Sequence, residues 1–136
     1  MKFLHTADWQ IGMKAAHVGA VGERVRQERL SAAQRVIELA SQRGAEFLLV
    51  TGDTFEDNAV SRSLVQRIGD ILGSCAVPVY VIPGNHDPYV PGSVWQHTVC
   101  AAHPTVHILT AAQPVDAPSA KLFPCPLVEK YSTHDP

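Results

Sequence analysis

Three short polar stretches carry side chains able to hold a metal ion or move a proton: Asp8-Trp9-Gln10, Gly52-Asp53 and Gly84-Asn85-His86-Asp87. The third is the densest, with an amide, an imidazole and a carboxylate in succession. Carboxylate, amide oxygen and imidazole together suit hard or borderline divalent ions such as Mn²⁺, Mg²⁺ or Fe²⁺. No cysteine falls in any of the three, which argues against a thiolate zinc site. Asp53, on the middle stretch, is a candidate bridge between two ions roughly 3.5–4 Å apart, the spacing at which a metal pair activates water and clamps a phosphoryl group. Taken alone, Gly, Asn and Asp are also ordinary turn formers. The chemistry therefore depends on what brings the three stretches together.

Each follows a run that reads as a strand, fully apolar in the second case and buried in the third. The first strand is expected over residues 2–7, the second over Phe47-Leu48-Leu49-Val50, and the third over Val77 to Ile82, bounded by proline and glycine. Between them lie two amphipathic helices. One runs from Glu23 to Arg43 with Leu30, Ala33, Val36, Ile37 and Ala40 on a single face, ended by Gly44. The other carries Leu64, Val65, Ile68, Ile71 and Leu72 and ends by Gly73. This alternation predicts an α/β fold of largely parallel strands joined by right-handed β-α-β crossovers. All three polar turns then lie on one edge of the sheet, where open α/β sheets place their sites.

Elsewhere the expectations are blander. Gly12 to Gly22 reads as a loop in which Lys14 and His17 are solvated, and His5 reads as a hydrogen-bonded structural histidine. Ser93 followed by Gln96 predicts a capping box starting a short helix to about Ala101, with Trp95 as a core anchor. Val106 to Leu109 and Lys121 to Phe123 are candidate short strands, and His103, His107 and His134 have no site spacing.

With 136 residues, 46% apolar and 18% charged, the chain has the composition of one globular domain or part of one. A net charge of −2 with no basic block leaves no electrostatic footprint for nucleic acid. Cys75, Cys100 and Cys125 are widely spaced and read as reduced, buried thiols of a cytoplasmic protein. No apolar stretch is long enough to cross a bilayer and no signal peptide is evident, so no membrane role is expected.

The order Asp8-x-Gln10, Gly52-Asp53, Gly84-Asn85-His86-Asp87 resembles the first three motifs of the calcineurin-like metallophosphoesterases, D-x-H, G-D and G-N-H-D/E. Leu4-His5-Thr6-Ala7-Asp8-Trp9, Gly52-Asp53-Thr54-Phe55, and Gly84 to Pro88 with Pro91-Gly92-Ser93-Val94-Trp95 are similar to the SbcD-type DNA-repair exonucleases. The resemblance covers roughly residues 2–102. It implies a layered α/β/β/α sandwich, incomplete in this chain, two divalent ions (Mn²⁺ first, Mg²⁺ or Fe²⁺ as alternatives), and DNA phosphodiester cleavage with an SMC-like ATPase partner and a homodimeric arrangement. It further implies that Asp8, Gln10, Asp53 and Asn85 ligate metal, that Asn85 also touches the phosphate, and that His86 serves the leaving oxygen. Asp87 would orient His86 or simply form the turn.

Two departures accompany it. The histidine of D-x-H is Gln10 here, a neutral and poorer donor, which predicts a weaker first metal site. The later family motifs, an isolated histidine and G-H-x-H, do not occur. Residues 1–136 are therefore read as the N-terminal portion of a nuclease domain, with weak metal binding and slow turnover expected of this portion alone. A phosphoesterase for small substrates and a degenerate scaffold relative are the alternative readings.

Overall fold

The computed structural model describes residues 1–14, 21–97 and 102–131. His17, Cys100, His134 and the end of the helix expected to reach Ala101 lie outside the described residues.

Four strands form one parallel sheet: β1 (Phe3–Thr6), β2 (Phe47–Thr51), β3 (Val79–Ile82) and β4 (Val106–Ile108). Their spatial order is their chain order, so every crossover steps the same way. Helices α1 (Val21–Gln42) and α2 (Arg62–Gly73) consequently share one face of the sheet. The predicted stripe of α1 is the buried one: Leu30, Ala33, Ile37 and Ala40 pack against Leu48, Val50, Val79 and Val81. Ser61 caps α2 by accepting the Leu64 N–H, while Val65, Ile68 and Leu72 enter the same core.

The opposite face is lined by an aromatic row. Phe3 stacks on Phe47 at 5.3 Å, Phe47 meets Tyr80 edge-on at 5.9 Å, and Tyr80 stacks on His107 at 4.9 Å. A hairpin of β5 (Val115–Ala117) and β6 (Ala120–Leu122) lies toward this side, tied in by the Tyr80 hydroxyl donating to the Asp116 carbonyl. Its two-residue turn, Pro118-Ser119, has Ser119 at φ 58°, and the β5 strand was not expected from the sequence.

Two expectations are corrected. Val94–Gln96 forms only a 3₁₀ turn, and Ser93 makes no side-chain cap. The Gln96 carbonyl oxygen instead accepts from Gly92 N–H, and His97 is already extended, so this segment never completes an α-turn. Of the two described cysteines, Cys75 is buried and Cys125 is exposed, because Cys125 follows the hairpin on the open side of the sheet. Among the described residues no helix is long and apolar enough to cross a membrane.

Candidate metal centre at the carboxyl edge of the sheet

The register aligns Thr6 with Val50 and Thr51 with Ile82, so β1, β2 and β3 end side by side. The first two turns then zip together through the backbone. Asp8 N–H donates to the Gly52 carbonyl at 3.2 Å, Gln10 N–H to the Asp53 carbonyl at 2.9 Å, and Ile11 N–H to the Thr54 carbonyl at 3.0 Å. Ile11 and Phe55, 2% and 0% exposed, anchor the end of this zipper in the core. Making these bonds forces Asp8, Gln10 and Asp53 into left-handed backbone at φ 55°, 47° and 52°. That conformation costs about 1–2 kcal/mol for an L-residue, and Asp tolerates it better than most.

The third turn lies directly on the second. Asp53 Oδ1 accepts the His86 N–H at 2.9 Å. A Cβ at position 84 would sit 2.2 Å from that same Oδ1 and 2.4 Å from the Asp53 nitrogen, so only glycine fits there. Asp8 and Asn85 are exposed, Gln10 and His86 half-buried, and Asp53 buried.

Of the two roles expected for Asp87, the structure shows the turn-forming one. Its fully buried carboxylate accepts Gly84 N–H at 2.8 Å through one oxygen and Phe55 N–H at 2.9 Å through the other. It therefore closes its own turn and staples it to the second. Burial pushes its carboxyl up to about 6, the Asp53 charge adds to this, and the two backbone donors pull the other way. His86 is oriented by the backbone: its Nδ1 lies 3.0 Å from the Glu56 carbonyl oxygen. A carbonyl can only accept, so Nδ1 carries the proton and the neutral ring keeps its lone pair on Nε2.

Three supports surround the third turn: Trp95, expected as a core anchor, and Asn58 and Leu127, which the sequence did not mark. Asn58 clamps the segment after the third turn, donating to the Pro88 carbonyl and accepting Val94 N–H, both at 3.1 Å. Trp95 donates its indole N–H to the Asp87 carbonyl at 2.6 Å. Leu127 returns to bracket the turn, its N–H bonding the Pro83 carbonyl and its carbonyl the Tyr89 N–H. Only Trp95 had a visible signal, as an aromatic in an apolar setting.

Two carboxylates and two amides held at one edge are oxygen donors suited to hard divalent ions. Asp53 Oδ2 takes no hydrogen bond among the described residues, which leaves it available to an ion. The residues fit a metal in kind. Among the described residues, however, no three His, Cys, Asp or Glu side chains gather into a metal-binding group, so these turns supply part of a shell.

A sheet edge of this make-up, fed by β-α-β units, defines a metallophosphoesterase fold. The calcineurin-like phosphoesterase family model matches residues 1–116, and the chain belongs to that family. Its members use divalent metal ions. The chain is also similar to an uncharacterized metallophosphoesterase, YhaO, of Bacillus subtilis (strain 168), being 28% identical over 123 residues. That match covers 84% of this chain but 29% of the relative, so the chain spans under a third of the relative's length.

Proposed function

We propose that the full-length protein is a metal-dependent phosphodiesterase acting on DNA, of the SbcD-type repair exonuclease kind. The observation that carries the hydrolase reading is the joining of all three turns through Asp53, whose carbonyl binds Gln10 N–H and whose carboxylate binds His86 N–H. In this reading Asp8 and Gln10 hold one divalent ion, Asp53 reaches both, and Asn85 holds the second and contacts the phosphate. Bound divalent ions supply Lewis acidity and an activated water near neutral pH. His86, with Nδ1 fixed by the Glu56 carbonyl, serves the departing oxygen through Nε2. The exposure of Asp8 and Asn85 leaves the edge open to a long substrate.

DNA as substrate, Mn²⁺ as the preferred ion and an SMC-like ATPase partner rest on the flanking stretches Leu4 to Trp9 and Pro91 to Trp95. The full-length protein is assayed with Mn²⁺ or Mg²⁺ on double-stranded DNA ends and on an aryl phosphodiester. Release of nucleotides from DNA supports the proposal. Turnover of the aryl ester alone replaces it with a small-substrate phosphoesterase, and inactivity on both favours a scaffold.

A further inference from the structure

Arg29 lies on the sheet-facing side of α1, half-buried, twenty residues from the first turn. Its Nη1 donates to the Trp9 carbonyl at 2.7 Å, and Nη2 lies 3.9 Å from Met13 Sδ. Among the described residues it pairs with no carboxylate, whereas the exposed Arg26 pairs with Glu23 three residues away. A guanidinium withdrawn from water and spent on one carbonyl needs a reason beyond surface charge.

The geometry supplies one. The peptide unit joining Trp9 to Gln10 is held at both ends: its carbonyl by Arg29, and its N–H by the Asp53 carbonyl at 2.9 Å. Gln10, which follows this peptide, is in left-handed backbone at φ 47°, as is Asp8 one residue before Trp9. A rotation of this one peptide changes the φ of Gln10, so it would relieve the strain there and redirect the Gln10 side chain relative to Asp8. The Trp9 ring is fixed separately, through its indole N–H on Thr6 Oγ1 at 2.8 Å, so the ring alone does not lock the peptide.

We infer that Arg29 is the positioning residue of the first metal turn, a lock that keeps Gln10 aimed at the ion it would share with Asp8. This rests on the metal-centre reading proposed above. Arg29 touches neither ion nor substrate in this role. Its removal should weaken metal binding and be compensated by excess metal.

The test is Mn²⁺ titration of the full-length protein by calorimetry, for the parent, Asp53→Ala, Arg29→Met and Arg29→Lys, with thermal melts of each. Arg29→Met keeps the apolar stem and loses the donors. Its Mn²⁺ affinity should fall about tenfold, the scale of groups that orient metal ligands, and its hydrolytic activity should recover at high Mn²⁺. Arg29→Lys, with one donor and no fork, should fall about threefold. Parent-like affinity in Arg29→Met overturns the inference, and if that variant does not fold, parent-like affinity in Arg29→Lys does so. A parent that binds no more Mn²⁺ than Asp53→Ala sinks the metal-centre reading itself. A binding parent with an equally binding Arg29→Met sinks only the role of Arg29.

Discussion

The carboxylate of Asp53 accepts the backbone N–H of His86 at 2.9 Å, so the middle turn holds the third by the same group that is the candidate bridging ligand. One carboxyl oxygen is structural and the other is left for an ion. The contact exists only because residue 84 has no side chain.

Gly84→Ala therefore tests the whole arrangement. Its methyl group would meet Asp53 at 2.2 Å and 2.4 Å, one contact being to backbone that cannot step aside. We expect a loss of about 2–4 kcal/mol in denaturant unfolding, together with loss of Mn²⁺ binding. Gly44→Ala is the control. Nothing lies within 4 Å there, and only the φ of 60° is strained, so about 1 kcal/mol is expected.

Asp87 gives the metal-free protein a pH signature. Its folded carboxyl, near 6, lies above its ordinary value of 3.8, so the native state binds the proton more tightly. The stabilisation is full below 3.8 and is lost as pH rises through 6, amounting to about 2–3 kcal/mol at most. Urea unfolding of EDTA-treated protein should show Asp87→Asn with a flatter slope than the parent between pH 4 and 6.5. The variant should also be less stable by about 1–3 kcal/mol, because its amide cannot accept from both Gly84 and Phe55. Parallel pH curves for the two proteins would contradict this.

Gln10→His should bind Mn²⁺ roughly tenfold more tightly, since imidazole is the better donor to a borderline ion. The φ of 47° favours the change, because histidine is among the residues enriched in left-handed backbone. No fall in melting temperature is expected. Equal affinity in parent and variant would mean that Gln10 does not face the ion.

His86→Ala should lower kcat by about 10²–10⁴-fold on DNA, the usual range for a lost general acid. The loss should be much smaller on an aryl phosphodiester, whose leaving group needs no proton. Equal losses on both substrates would instead mark His86 as a structural or binding group.

Trp95→Phe removes the indole donor from the buried Asp87 carbonyl while keeping the aromatic contact with Phe55. We expect about 1–3 kcal/mol of destabilisation by thermal or urea unfolding. A change below about 0.5 kcal/mol would show that the carbonyl finds another donor.

Periodicity made the main elements legible: the stripes of α1 and α2 and the runs of β2 and β3 are buried as their patterns imply, while β1, at the sheet edge, is exposed to half-buried. From that alternation came the shared sheet edge and hence the joining of the turns that carry Asp8, Asp53 and Asn85. What escaped was local competition for backbone groups. Ser93 and Gln96 have capping-box spacing, but Gly92 N–H captures the glutamine first. Asp87 stands next to His86 in sequence, yet the free N–H of Gly84, three residues back, draws its carboxylate inward. An aspartate three residues after a glycine in a tight turn is a recognisable signal for that closure. Asn58 and Leu127 act across about 30 residues or more, and no local pattern marks such partners.

Asp8, Gln10 and Asp53 hold a backbone shape that glycine would adopt with less strain. Selection for heat resistance alone would thus reward replacing the very side chains assigned to the ions. A thermostable library raised without an activity screen should drift toward glycine or asparagine at Asp8 and Gln10, gaining melting temperature as it goes silent, while Asp53 is kept by its bond to His86 N–H. Persistence of Asp8 and Gln10 under such selection would mean that they stabilise the fold in their own right.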